Sequence, residues 1–329
     1  LNPKDCVIFE DAISGVQSGN EGDFGIVVGV TTSNSKAVLI ENGADIAVQD
    51  FTELIGTDLE QLHVPEKLQN AIVMGNWEEM LNGRTPAIFI DYDGTLTPIV
   101  ANPDQALLPG TTREVLQNLA ENLTIAVISG RDRKNVEALV GVDNIYYAGS
   151  HGYDISGPNG MHMELDKAQG LLPFLDKAEA ALKEQTEGFP GVHVERKKFA
   201  IAVHFRNASE HIVPELKTVI DQVITHYDDL KLSSGKKIFE IKPNLDWDKG
   251  KAMKWLLQQL NLDRPDIIPI YIGDDLTDED AFRVLIEDGI GILVGDHEHR
   301  TFATYHLADT NEVKSFLEEI LTKFKQVHE

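Results

Sequence analysis

Residues 87–98, AIFIDYDGTLTP, end an apolar run on two aspartates, Asp91 and Asp93, one residue apart, and then turn at Gly94. Gly94 breaks the strand and lets both carboxylates reach one space. One acid can attack a phosphorus atom as nucleophile. Its neighbour can protonate the departing alkoxide and later take a proton from water. Such anionic crowding calls for a cation, and a hard, oxygen-preferring ion such as Mg²⁺ fits. Ser129, with Gly130, offers a hydroxyl and backbone N–H groups for phosphate oxygens. Lys249 offers a fixed positive charge, and Asp274 with Asp275, after the run IPIYIG, offers further metal ligands. D-x-D-G-T alone is also an ordinary surface turn. Four such features in order, each at a strand end or a helix start, define a phosphoryl-transfer centre.

The elements that must carry these residues are legible as alternating patterns. The runs CVIFED, GIVVGV, AIFIDYD, TIAVISG, IPIYIGDD and IGILVG read as short buried strands with helical segments between them. That alternation predicts an α/β fold, a Rossmann-like parallel sheet covered on both faces. Ligands of such sheets bind beyond the carboxyl ends of the strands, where the acids and the Ser129-Gly130-Arg131 turn fall. Thr111 and Glu114, just before Val115, Leu116 and Leu119, read as a capping box that starts the first core helix.

Residues 153–240 read differently, as an inserted α+β cap. It holds a helix over 171–183, then VHVERKKFAIAVHFR, whose alternation over 198–206 predicts a half-exposed antiparallel strand. A second helix over 214–227, a turn at Ser233-Ser234-Gly235 and the strand KKIFEIKP follow. The expected division is 85–152 with 241–329 as hydrolase core, 153–240 as cap, 1–57 as a partial α/β segment, and 58–84 as linker and entry helix carrying NWEEMLNG.

Composition limits the partners. At 329 residues the chain can bury two cores. Its formal net charge of -25 opposes nucleic acid and anionic membrane alike. Local cations or a metal still permit a small anionic substrate. The single cysteine, Cys6, allows no disulfide within the chain and fits a reducing, cytoplasmic setting. No run is apolar enough to span a bilayer and no signal peptide opens the sequence. The chain starts at Leu1 almost directly with a strand-like run, so it reads as a fragment of a larger polypeptide.

DYDGTLTP, ISGR, GSHG, VERKKFAIAVHFR, EIKPNLDWDKG and GDDLTDEDAF together resemble the trehalose-6-phosphate phosphatases of the haloacid dehalogenase-like superfamily. The resemblance covers residues 76–329. It implies Asp91 as the nucleophile that becomes phospho-aspartate and Asp93 as general acid and base. It implies Ser129 and Lys249 on the transferring phosphoryl group. Mg²⁺ would be held by Asp91, the Asp93 backbone carbonyl and Asp274, with Asp275 close behind. Glu195, Lys197 or Lys198, His204 and Arg206 in the cap would face the sugar, with Glu240 and Lys242. The family often carries Arg where this chain has Lys242, and a lysine cannot fork onto two oxygens.

Other readings of these residues stay open from the sequence. Arg131 recognises substrate or caps the following helix; His151 is a hinge or a ligand contact. His204 is a sugar contact or a satisfied core histidine, and Glu240 and Lys242 either bind sugar or pair with each other.

VIFEDAISGVQSGNEGDFGIVVGV, near the start, repeats the design of IYIGDDLTDEDAFRVLIEDGIGILVG and resembles the carboxyl half of beta-phosphoglucomutase-like members of the superfamily. Glu10 and Asp11 would match the metal-binding acids there. The matching nucleophile and lysine are absent, so this segment is not an independent centre. The resemblance implies a composite parent in which further domains are covalently joined. The expected activity is Mg²⁺-dependent hydrolysis of trehalose 6-phosphate. The alternatives are another sugar phosphate of sucrose or mannosyl type, or a non-catalytic sugar-phosphate-binding module.

Overall fold

In the computed structural model, which describes residues 2–55, 59, 62, 68–73, 81–100, 103–235, 237–295 and 299–327, all six apolar runs form strands. The chain divides into two compact units, Asp58–Met163 with Trp247–Glu329, and Leu1–Thr57 with Glu164–Asp246.

The first of these units is built on a mostly parallel sheet. Its strands are Gln69–Asn70 (β4), Thr85–Ile90 (β5), Thr124–Ile128 (β6), Tyr146–Gly149 (β7), Ile267–Gly273 (β14), Ile290–Val294 (β15) and Tyr305–Leu307 (β16). They lie in the order β4-β16-β15-β14-β5-β6-β7, every neighbouring pair parallel. Asp154–Ser156 (β8) then turns back antiparallel on β7, and His162–Glu164 (β9) lies outside it. β14 is buried at every position and β5 at all but its first, which is why both read as unbroken apolar runs. Ile88, Ile90, Val127, Ile270 and Ile292 share a core with Val115, Leu116 and Leu119 of the helix Gly110–Ala120 (α3). Phe316, Leu317 and Ile320 of Thr310–Val327 (α10) complete that side.

From β5 the chain moves outward through β6 and β7, then returns to lay β14 against the other side of β5. The strand order reverses there, so the crevice beyond the carboxyl ends of β5 and β14 is the topological switch point. Asp91 and Asp274 are the first residues past those two ends.

α3 corrects the expected capping box. The helix begins at Gly110 with Pro109 at the N-cap and no side-chain cap bond, so Thr111 already lies inside it. The fixed φ of Pro109 ends the preceding extended chain, and the helix starts two residues too early for Thr111 to serve as its cap.

The other unit holds two sheets. Val7–Glu10 (β1), Ile26–Val30 (β2) and Ile46–Val48 (β3) form a parallel sheet in that order, with Ile13–Glu21 (α1) and Lys36–Glu41 (α2) as connections. His193–Arg196 (β10), Ile201–His204 (β11), Leu230–Gly235 (β12) and Ile238–Pro243 (β13) form an antiparallel sheet ordered β10-β11-β13-β12. Val194, Ile201, Val203, Phe239 and Ile241 turn one face of it onto Leu175, Ala178 and Leu182 of Leu172–Thr186 (α6). Leu216, Ile220 and Val223 of Val213–Ile224 (α7) cover the same face.

Two expectations for this sheet are corrected. The half-exposed strand over 198–206 is an interior strand four residues long, paired by β10 and β13, and Ala202, on its other face, is also fully buried. The turn expected at Ser233-Ser234-Gly235 is strand, and the reversal falls just after it, with Lys237 at φ 66°. Most of the expected linker and entry helix, including the first five residues of NWEEMLNG, lies outside the described residues. Among the described residues no helix is long and apolar enough to cross a membrane.

Candidate active site

Asp91 leaves β5 with its N–H donating to the Ile272 carbonyl of β14 at 2.9 Å, and is only 4% exposed. Facing it is Lys249, the first residue of the helix Lys249–Gln259 (α8). Asp248 caps that helix by accepting from the Lys251 N–H at 2.8 Å, which fixes where the lysine emerges. The Lys249 ammonium donates to Asp91 Oδ1 at 2.8 Å and to Asp278 Oδ1 at 2.7 Å. Asp278 is fully buried and its acceptors are taken: Oδ1 also receives the Tyr271 hydroxyl at 2.7 Å, and Oδ2 receives the Asp274 and Asp275 N–H groups, each at 3.0 Å. Burial would lower the proton affinity of Lys249, but Asp278 and Asp91 outweigh it and hold the ammonium charged. Burial pushes the Asp91 carboxyl well up, Lys249 opposes the shift, and Asp278 and Asp274 add to it.

One carboxylate oxygen each from Asp91, Asp274 and Asp278 lies within 4.8 Å of the others. Three acids against one ammonium leave a surplus of negative charge that a cation would relieve. Asp274 carries that strain most plainly: burial first, then the charges of Asp278 and Asp275, push its carboxyl up to about 8. Its place is made by Gly94, at φ 84°, where an added Cβ would lie 1.9 Å from Asp274 Oδ2. With Asp278 committed to Lys249, Tyr271 and two N–H groups, Asp91 and Asp274 are the side chains with oxygens to give. All-oxygen, carboxylate-rich donors suit a hard divalent ion. Asp275 is not one of these three acids, although its Oδ1 lies 4.0 Å from the Lys249 ammonium. Its Oδ1 accepts from the Thr277 N–H at 2.8 Å and the Thr277 hydroxyl at 2.6 Å, in a turn of its own. Burial would raise its carboxyl, but Lys249 and the Thr277 bonds hold it down at about 2.

Asp93 is forked by Arg131: Nε donates to Oδ2 and Nη2 to Oδ1, both at 2.6 Å. Arg131 is therefore engaged with an acid of the site. Ser129 follows β6 and is almost fully buried, its hydroxyl accepting from the Arg131 N–H at 3.2 Å. The GSHG turn after β7 closes on the same place. Ser150 donates its N–H to the Arg131 carbonyl at 2.7 Å, and His151 donates to the Ser129 carbonyl at 2.9 Å. Both residues take left-handed backbone, φ 51° and 56°, a strained state for side chains of this kind. The His151 ring lies so close over Gly130 that a side chain there would meet it at 3.0 Å.

The expected sugar residues gather on the face of the antiparallel sheet opposite its apolar core. Glu195, Ala202, Glu240 and Ser233 form one cross-strand row. Glu195 Oε2 meets His204 Nε2 at 2.8 Å, and Lys197 donates to Glu240 Oε1 at 2.8 Å. Lys242 lies 4.0 Å from Glu240 Oε2. Lys198 pairs instead with Glu164 and lies over the Phe199 ring at 5.1 Å. Lys197 is thus the lysine gathered with Glu240 and Lys242, and Arg206 is exposed beyond the end of β11. In the N-terminal segment, Asp11 accepts from the Thr32 hydroxyl at 2.7 Å.

Sequence reasoning gave no role to Asp278 or Tyr271. The available signal was an acid four residues after Asp274 at the start of a helix, and a tyrosine two residues before Gly273 in an otherwise aliphatic strand.

A parallel sheet whose switch point carries a D-x-D turn, a serine, a lysine and a G-D-D turn, with an α+β cap inserted in the chain, is the haloacid dehalogenase-like hydrolase fold. The chain belongs to the trehalose-phosphatase family of phosphoric monoester hydrolases, whose sequence model matches residues 89–311. A trehalose-phosphate phosphatase of Mycobacterium tuberculosis is 36% identical over 332 residues, covering 99% of this chain and 84% of its own. Trehalose-phosphate phosphatase B of Arabidopsis thaliana is 43% identical over 259 residues, 74% of this chain and 69% of its own. The C-terminal domain of Candida albicans trehalose-6-phosphate phosphatase superposes with a TM-score of 0.64 at 25% identity, covering 78% of this chain and 98% of that one.

Proposed function

We propose that this protein is an Mg²⁺-dependent phosphatase that converts trehalose 6-phosphate to trehalose and phosphate through an aspartyl-phosphate. The observation that carries the reading is the buried Asp91 bonded to Lys249, with Asp274 beside it, in a chain of the trehalose-phosphatase family. In the first step an Asp91 oxygen bonds to phosphorus and the bond from phosphorus to the sugar oxygen breaks. The departing oxygen takes the proton of the Asp93 carboxyl. In the second step a water oxygen displaces the Asp91 oxygen from phosphorus and its proton passes to Asp93. Lys249, Ser129 and the Gly130 N–H hold phosphoryl oxygens through both steps. Asp91, Asp274 and the Asp93 backbone carbonyl would hold Mg²⁺, which when bound supplies positive charge to the phosphoryl oxygens. Glu195, Lys197, His204, Arg206, Glu240 and Lys242 are assigned to the sugar.

The test is phosphate release from trehalose 6-phosphate, glucose 6-phosphate and sucrose 6-phosphate, each with Mg²⁺ and with chelator. Mg²⁺-dependent release from trehalose 6-phosphate alone is expected. Asp91→Asn should lower kcat by at least about 10³-fold, the order seen when a nucleophile is removed. Equal release from all three esters would keep the chemistry and overturn the substrate. No release from any, by folded protein, would overturn the activity.

A further inference from the structure

We propose that Arg131 is a positioning residue: it holds the Asp93 carboxyl in the orientation needed for proton transfer and does not bind the sugar. The inference rests on the phosphatase reading and deepens it.

Asp93 sits on a turn with its side chain 41% exposed, where a carboxyl free in water would turn among rotamers. Proton transfer needs one of its oxygens within about 2.6–3.2 Å of the departing oxygen. A forked guanidinium pair removes that freedom, because two parallel N–H···O bonds fix both the plane and the rotation of the carboxyl. Each Asp93 oxygen keeps a second lone pair to carry or receive the proton.

The guanidinium is itself held. Nη2 also donates to the Pro103 carbonyl at 2.9 Å, Nη1 donates to Asn135 Oδ1 at 3.2 Å, and its carbon lies 5.3 Å from the centre of the Tyr92 ring. The Tyr92 hydroxyl is in turn fixed to the Ala106 carbonyl at 2.5 Å. These bonds and the fork engage four of the five guanidinium donors, which leaves at most one for a ligand. The Arg131 side chain is 11% exposed, as expected of a fixed support. Its backbone adds a second link: the N–H bonds the Ser129 hydroxyl and the carbonyl accepts from Ser150. One residue thus joins the turn assigned to the phosphoryl group to the acid assigned to the departing oxygen. When Asp93 has given up its proton, the guanidinium pairs the carboxylate that remains.

A double-mutant cycle tests the assignment, with steady-state phosphate release from trehalose 6-phosphate by wild type, Arg131→Lys, Asp93→Ala and the double variant. If Arg131 acts through Asp93, Arg131→Lys lowers kcat about 10–100-fold, less than the roughly 10²–10⁴-fold ascribed to a general acid because Asp93 itself remains, and moves KM less than about 3-fold. In the Asp93→Ala background the same change lowers kcat less than about 2-fold further, because its target is gone. Lysine keeps the charge but cannot fork, and Arg131→Met, which keeps the stem over Tyr92, repeats the comparison should the lysine variant fold poorly. Losses that multiply in the double variant would overturn the proposal, as a merely structural role predicts. A KM rise with kcat retained would also overturn it and return Arg131 to the sugar. No release by wild type would overturn the phosphatase reading, and the proposal with it; wild-type turnover with either of the other outcomes overturns the proposal alone.

Discussion

Asp278 and Gly94 do the least visible work in the site. Asp278 binds the Lys249 ammonium, the Tyr271 hydroxyl and two N–H groups of the G-D-D turn, so parts of three segments are fixed by one side chain. The sequence could not single it out. In GDDLTDED several acids look alike, and what distinguishes Asp278 is burial against a tyrosine and a lysine contributed from elsewhere. Asp91, Asp93, Ser129, Lys249 and Asp274 were legible because strand ends and turn chemistry mark them locally. Gly94 makes the room that Asp274 occupies. In Gly94→Ala the new Cβ would meet Asp274 Oδ2 at 1.9 Å, on backbone at φ 84° that alanine resists. Asp274 must then move. Mg²⁺ affinity measured by calorimetric titration should fall about 10–100-fold, the range for losing a group that orients a metal ligand. Unchanged affinity in a folded variant would mean that Asp274 is not a ligand.

Among the elements, the long apolar strands β5, β14 and β15 were legible because burial on both faces leaves an unbroken run. The short strands β4 and β16 were not, since two or three residues carry no period and their pairing is decided by the sheet. The missed helix start at Gly110 has a similar origin: a cap signal is local, and Pro109 overrode it. The helix Glu279–Val284 (α9) supplies a prediction at this scale. Glu279 ties its first turn to the chain after β15: Oε2 accepts from the Phe302 N–H at 2.9 Å and Thr301 also bonds the carboxyl, while the buried Oε1 meets no hydrogen-bond partner within 3.5 Å among the described residues. Burial pushes this carboxyl from 4.5 up to about 8. Between those values the folded protein keeps a proton that the unfolded chain has lost. The stability this carboxyl contributes is therefore full below about 4.5 and falls as pH rises towards about 8. Glutamine has no proton to lose and can offer an N–H where the protonated acid has its O–H. The melting temperature of Glu279→Gln, relative to wild type, should climb by several degrees from about pH 5 to about pH 8, a difference on the order of a few kcal/mol. A pH-independent difference would mean that the carboxyl ionises in the folded protein as it does in water.

At the scale of the whole molecule, a formal charge of -25 and a cluster of acids able to hold a metal both respond to cations, and the two responses must be told apart. Self-repulsion among the surface charges weakens the compact state, and any salt relieves it by shortening the screening length from about 30 Å at 0.01 M to about 8 Å at 0.15 M. Melting temperature should therefore rise with sodium chloride in wild type and in site variants alike. Mg²⁺ held at Asp91 and Asp274, as proposed, would act differently. It would stabilise by mass action, by about 2.7 kcal/mol at a hundredfold excess over its Kd, which at roughly 2.1 cal/mol/K per residue is a rise of about 4 °C for a chain of 329 residues. That increment should appear in wild type at constant ionic strength, vanish with chelator, and be absent from Asp274→Asn. Asparagine keeps the shape at that position while removing the charge that an Mg²⁺ ion would require. If Asp274→Asn gains as much as wild type, the gain is general screening, and the acids at the switch point do not hold the ion.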